Sequence, residues 1–271
     1  MDWSKSKTIF IVVFLILSIF LYTQYLDVYR QGQQVEVLAE KTIEAKLKDD
    51  NITYNSLPNN VEEVSYISGK VRSFTKDDIL NSPLMVTNII DQHIIASIFY
   101  DPVKIGNVDE EKSFTDFANQ YALEGKNYVL WEINKEERTA LFFQKINDRT
   151  LYYNASGYLK LYWNANEEIY KFEQTMLEKV KELDQKVNVF LPIQVLQALY
   201  SKSLLPMDSR IISMKLGYST LVQTTQKQVF APTWEVRVRN AEGQVSEHFV
   251  NGKDGKVIDI QQSTVEVEDL E

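Results

Sequence analysis

His93 and His248 are the whole imidazole supply of this chain. A metal site needs clustered ligands, such as two His one helical turn apart with a nearby Glu, and these two lie far apart in sequence. Cysteine is absent, which removes thiolate catalysis, Cys-based zinc sites and any disulfide framework. Ser219 follows Gly217 at the spacing of a nucleophile elbow, but the second glycine position holds Leu221. Ser156 has Asn154 and Tyr158 where both glycines should be. The nine glycines form no phosphate-cradling or dinucleotide-binding pattern. Glu62-Glu63 and Glu167-Glu168 are adjacent pairs, and neighbours on a strand point to opposite faces, so they suit solvated surface better than acid/base work. Asp109-Glu110-Glu111 stands where a helix begins and complements its dipole. These residues give no catalytic, cofactor or metal site, and the chain is expected not to be an enzyme.

Binding chemistry has more to work with. Tyr152, Tyr153, Tyr158, Tyr162, Trp163 and Tyr170 form an aromatic-rich stretch. Strand alternation puts Leu159, Leu161 and Trp163 on one face and Tyr158, Lys160 and Tyr162 on the other. One face is core; the other is a domain contact or a groove for a peptide or glycan, and inter-domain surfaces commonly use such residues. Asn51-Ile52-Thr53 and Asn154-Ala155-Ser156 fit the glycosylation pattern, which arises often by chance. A net charge of −9 repels phosphates and argues against nucleic acid.

The element that must position everything else is Thr8 to Leu26, which holds no charge, Pro or Gly. As a helix it would measure ~29 Å, about the thickness of a bilayer's hydrocarbon core. Lys5 and Lys7 precede it, and Tyr22, Tyr25 and Tyr29 mark its far end. That predicts residues 1–7 in the cytoplasm, a transmembrane helix over 8–26, and the remainder outside the cell membrane. The bulky residues after the apolar run disfavour a cleaved signal peptide. Ile11, Leu15, Ser18, Tyr22 and Tyr25 share one helical face, a candidate contact surface for a neighbouring transmembrane helix. The same spacing also suits a plain anchor in the lipid bilayer.

Beyond the span the fold class reads as α+β. Val35, Leu38, Ala39, Thr42, Ile43 and Leu47 predict a stalk or first domain helix within 27–48, with Gly32 as a hinge. Strands are expected within 51–75 and 84–100, a helix from Ser113 to Leu123, and strands over Tyr128–Asn134, Ala140–Asn147, Thr150–Asn154, Tyr158–Trp163 and Ile169–Leu177. Glu178 to Lys186 reads as a charged connector. Pro192 opens a helix to Lys202. Strands follow over Ile211–Val222, Val229–Asn240, Gln244–Val250 and Lys256–Gln261, and Pro232 marks an edge or a bulge. The pattern of a helix followed by an antiparallel β-meander occurs twice, which predicts two small extracytoplasmic domains at 49–177 and 178–262. Residues 263–271 form an acidic tail.

Several stretches carry a resemblance to a known family. They are Trp3-Ser4-Lys5 before a single span, Leu216-Gly217-Tyr218, Ala231-Pro232-Thr233-Trp234-Glu235-Val236, and Phe249-Val250-Asn251 followed by Asp254-Gly255-Lys256-Val257. With an acidic, Cys-free exterior, they resemble the YycI (WalI) family, accessory regulators of the sensor histidine kinase WalK (YycG). The resemblance implies a two-domain exterior related to the companion protein YycH. It also implies a complex of the chain, YycH and WalK, with transmembrane helices supplying much of the contact, in control of cell-wall metabolism. The resemblance carries over no catalytic motif. The alternative from the residues alone is a tethered module that binds a wall peptide or glycan.

Overall fold

The structure is a computed structural model and describes residues 10–11, 13–25, 42–58, 63–79, 82–223 and 227–260. The chain divides into two compact units, Met1–Lys46 and Leu47–Glu271. In the first, the described residues among 10–25 are helical (α1) and exposed. Thr23 Oγ1 donates to the carbonyl of Phe20 at 2.8 Å, the back-bond of a hydroxyl on a helix. Thr8, Ile9, Val12 and Leu26 of the expected span lie outside the described residues, as do 27–41 with Gly32. Among the described residues no helix is long and apolar enough to cross a membrane. A short helix, α2 (Ile43–Asp49), follows, and its Leu47 is buried.

Among the described residues of Leu47–Glu271, two sheets are formed, each of seven strands. The first sheet uses β3 (Met85–Ile90), β4 (Ile94–Lys104), β5 (Tyr128–Asn134), β6 (Thr139–Ile146), β7 (Arg149–Thr150), β8 (Tyr158–Trp163) and β9 (Glu168–Gln174). Its antiparallel order is β3-β4-β9-β8-β6-β5, with β7 paired to β6. Helix α3 (Glu111–Tyr121) buries Phe114, Phe117 and Ala118 in the same core as Leu159, Leu161 and Trp163. The expected alternation therefore holds, because one face of β8 must be apolar to receive a helix. Gln174 fastens the chain beyond α3: its Oε1 accepts from the Leu123 N–H at 3.1 Å, and its Nε2 donates to the Leu123 carbonyl.

The second sheet uses β1 (Thr53–Tyr54), β2 (Glu63–Val71), β10 (Leu177–Asn188), β11 (Arg210–Gln223), β12 (Lys227–Arg239), β13 (Val245–Asn251) and β14 (Val257–Ile258). The path is β1-β11-β12-β13-β14, and β2 pairs with both β12 and β10. Among the described strands, β1 and β11 are the pair that runs parallel. Helix α4 (Pro192–Ser201) starts at its proline as expected, and the Leu191 N–H donates to Gln194 Oε1 at 2.8 Å. The boundary expected at 177/178 is crossed by β1 and β2, which come from the earlier segment and pair into the later sheet. Val64 and Ile67 of β2 are buried in one cluster with Leu177, Val187, Tyr218 and Phe230, and that shared apolar face places β2 there.

Three expectations need correction. Glu178–Lys186 is not a connector but most of β10. Its charges mark an edge: among the described strands β10 pairs only with β2, and two register shifts interrupt that pairing, a pattern that discourages intermolecular strand addition. Thr150–Asn154 is not a strand of the first sheet beyond Thr150. The chain turns there, with Tyr153 at φ 46, and Leu151 forms a lone parallel bridge with Tyr218 of β11. Pro232 does not mark an edge, since β12 is central. Pairing with β2 ends at Phe230 and pairing with β13 begins at Thr233, so the proline, which has no N–H to offer, sits at the handover. The register shift expected nearby falls on the partner strand, between Thr220 and Val222.

Gln144 links the sheets. From β6 its Nε2 donates to the Leu177 carbonyl at 3.0 Å, and its Oε1 accepts from the Leu177 N–H at 2.8 Å. Gln144→Met keeps the volume and strands both backbone groups in a buried site. A loss of about 2 kcal/mol in urea unfolding is expected, and a change below about 0.5 kcal/mol would show that these bonds do not tie the sheets.

Candidate functional site

Strand alternation on β12 sends Trp234, Val236 and Val238 to one face and Glu235 and Arg237 to the other. Register puts Lys215 of β11 and Phe249 of β13 beside Glu235, and Glu247 beside Arg237. The chain leaving β7 crosses this second face. Tyr152 N–H donates to the Tyr218 carbonyl at 2.8 Å, and Tyr152 Oη donates to the Lys215 carbonyl at 3.1 Å. The crossing is close because residue 217 is glycine: a Cβ there would lie 2.3 Å from the Thr150 carbonyl oxygen and 2.6 Å from the Tyr152 ring. Rings then fill the seam between the sheets. Tyr152 and Tyr153 pack on Phe249 with centroids 5.2 and 5.8 Å apart, and Trp131 of β5 packs on Phe143, Tyr152 and Tyr153. The register shift between Leu130 and Glu132 makes Trp131 the extra residue of a β-bulge, a device that re-aims a side chain.

An ionic chain runs through these rings. The Arg237 guanidinium lies 4.3 Å from the centre of the Trp131 ring. Its Nη2 is 3.0 Å from Glu247 Oε1 and its Nε is 2.7 Å from Glu235 Oε1. Trp131 Nε1 donates to Tyr153 Oη at 3.0 Å, and Tyr153 Oη donates to Glu247 Oε2 at 2.9 Å. Glu235 is 1% exposed. The Arg237 N–H is not aimed at it, so the pair is an ionic contact without a hydrogen bond, and neither Glu235 oxygen has a donor. Burial pushes the Glu235 carboxyl up to about 7; Arg237 pulls it down, Glu247 adds to the rise and Lys215 opposes it.

Beside this chain lies a cleft of about 1050 Å³, lined by Trp131, Glu132, Tyr153, Lys202, Arg237 and residues of β13 and beyond, through Ile260. β5 forms one edge of the first sheet. Among the described residues β14 pairs with β13 at Phe249 and Val250, and β5 and β13 both border the cleft. His248 also lines it, with Nε2 3.2 Å from Ser246 Oγ, and burial lowers its imidazole below the usual value.

The sequence-predicted positions are dispersed. Ile11, Leu15, Ser18, Tyr22 and Tyr25 all fall on α1 and are exposed. His93 sits in the turn between β3 and β4, with Nδ1 2.9 Å from the Arg72 carbonyl, and does not meet His248. Of the six aromatic positions, Tyr152 and Tyr153 form the seam and Trp163 is core. Tyr158 is buried on the opposite face. Tyr162 donates to Glu173 Oε2 at 3.0 Å beneath Lys160 and Lys171, closing a polar cluster within the sheet. Asn154 does not suit glycosylation: it is 3% exposed, and its amide donates to Thr220 Oγ1 and Gln228 Oε1 at 2.8 and 2.7 Å. Glu235, Arg237 and Glu247 were missed as a group. Alternation places the first two on one face, but only cross-strand register adds the third.

Two largely antiparallel sheets and few helices, with a cleft beside an aromatic and ionic seam, define an α+β protein. Among the described residues no three His, Asp or Glu side chains are placed to hold a metal ion. The model of the family described as YycI protein matches residues 32–253, and the chain belongs to that family. It is a family of regulatory accessory proteins whose known context is the WalK kinase. No curated protein matches. Among solved structures, an uncharacterised protein from Eubacterium rectale ATCC 33656 is similar at 11% identity and a TM-score of 0.49, over 78% of this chain and 92% of that one. The YpeB C-terminal domain of Bacillus megaterium gives 12% and 0.42, over 81% and 95%. YycH from Bacillus subtilis gives 13% and 0.39, over 70% of this chain and 53% of that one.

Proposed function

We propose that this chain is a non-enzymatic, single-pass regulator of the WalK (YycG) sensor histidine kinase that acts together with YycH in control of cell-wall metabolism. Its N-terminus is cytoplasmic, Thr8–Leu26 crosses the cell membrane, and the two sheets lie outside. Membership of the YycI family over residues 32–253 is the observation that carries this reading. The uncharged run Thr8–Leu26, with Lys5 and Lys7 before it, supports the topology. A partner shifts a kinase equilibrium only by binding its two signalling states unequally. The face of Ile11, Leu15, Ser18, Tyr22 and Tyr25 supplies one contact within the bilayer, and the exterior supplies the other.

Replacing Thr8–Leu26 with an unrelated apolar helix is expected to reduce co-purification of WalK and YycH from membranes about tenfold, the equivalent of ~1.4 kcal/mol. Unchanged co-purification, with the chimera present in the membrane at the wild-type level, would remove the helix-contact idea. The cleft between the β5 and β13 edges favours a second reading, in which the span is a tether and the exterior binds a wall peptide or glycan. Retention of the full chain on purified wall material, lost on Trp131→Ala, would favour that reading.

A further inference from the structure

The ionic chain at the seam has an imbalance that packing alone does not require. Glu247 accepts a hydrogen bond from Tyr153 Oη at 2.9 Å and pairs ionically with Arg237 Nη2 at 3.0 Å. Glu235 accepts no hydrogen bond, although it is almost wholly buried. Arg237 and, from β11, Lys215 favour its charge, while burial and Glu247 on β13 oppose it. The Tyr152 hydroxyl, on the segment that covers it, is committed to the Lys215 carbonyl. A proton arriving on Glu235 therefore removes a buried charge and breaks no hydrogen bond. It also leaves Arg237 with one carboxylate in place of two.

Arg237 is the charged link between the sheets. It belongs to β12 of one sheet and lies on the indole of Trp131, on the edge strand of the other. Both residues line the cleft. We propose that Glu235, Arg237 and Trp131 form a proton-gated latch across this seam. With Glu235 ionised, two carboxylates hold the guanidinium against the indole. With Glu235 protonated, Glu247 alone holds it, and Arg237 swings off the ring into the cleft. The edge strands on either side are then joined by aromatic packing and the Trp131–Tyr153–Glu247 hydrogen bonds, and Arg237, already at the cleft wall, extends further into the cleft. The carboxyl sits near 7, so both forms are populated around neutral pH. The latch needs neither the membrane topology nor the kinase partnership, so its failure and theirs are separately visible.

The test is fluorine NMR of the full chain labelled with fluorotryptophan, with the Trp131 signal assigned by W131F. From about pH 5 to about pH 9, spanning the ordinary histidine range, the Trp131 resonance is expected to move through a single midpoint near 7. E235Q should hold it at its low-pH position throughout. H248Q should leave the titration in place, because His248 points to the opposite face of β13 from Glu247. A Trp131 signal that ignores pH, a titration that survives in E235Q, or one abolished by H248Q would each overturn the latch. Carbon-13 detection of the wild-type Glu235 carboxyl gives an answer that does not depend on E235Q folding. Coincident Glu235 and Trp131 curves support the latch, and separate midpoints refute it.

Discussion

Gly217→Ala is expected to destabilise Leu47–Glu271 by about 3 kcal/mol, the upper part of the range for forcing atoms into a filled site. The added Cβ would stand 2.3 Å from the Thr150 carbonyl oxygen and 2.6 and 2.7 Å from two carbons of the Tyr152 ring. Neither neighbour yields easily. Thr150 is fixed by its pairing with Lys145, and Tyr152 by its bonds to the carbonyls of Tyr218 and Lys215. To admit a methyl group, the segment after β7 must lift off β11, which loosens the cover over Glu235. Gly106→Ala is the control, since its Cβ would meet only Ser113 Oγ at 3.4 Å. Urea midpoints of the two variants decide the matter. If both match wild type, the close crossing at Gly217 does not hold the sheets together.

Glu235→Gln should stabilise the protein by about 3 kcal/mol at pH 8, and the gain should shrink to a few tenths near pH 4. The sign follows from the direction of the shift. The folded carboxyl sits at about 7, above its ordinary 4.5. Between those values the native state holds a proton that the unfolded chain has released. The favourable contribution is therefore complete below about 4.5 and is lost as pH rises through 7. Glutamine mimics the protonated form and keeps its stability at every pH. Asp78 works in the opposite direction at lower pH: the Thr75 N–H, with Arg72, holds its carboxyl below the usual range, so its contribution is lost on acidification. The difference between wild type and Glu235→Gln cancels that background. A difference that does not change between pH 5 and pH 8 would mean that Glu235 titrates near its ordinary value, and the seam would then hold no displaced proton.

How far the residues could be read depended on the range of the forces involved. The faces of β8 were legible because the pleat alternates every residue and the Leu159-Leu161-Trp163 side is apolar. The start of α4 was legible because a proline suits the first turn of a helix. The charges of Glu178–Lys186 misled, because a charged edge strand and a charged linker have the same composition. What separates them is the pairing with β2, more than a hundred residues away in sequence. Pro232 misled for a related reason. A missing N–H excludes a residue from continuous pairing on both sides, but not from the point where one neighbour gives way to the next.

The sequence by itself determined the α+β class, most of the helices and strands, the uncharged N-terminal run and the family to which the chain belongs. All of these rest on residues close together in the chain or on short motifs. Only the tertiary structure decided that β2 joins the later sheet, that Tyr152 seals Glu235 over Gly217, and that one guanidinium serves two carboxylates and an indole. Those contacts depend on register between strands distant in sequence. Register is set by which apolar faces bury together, and no local pattern of residue types records that choice.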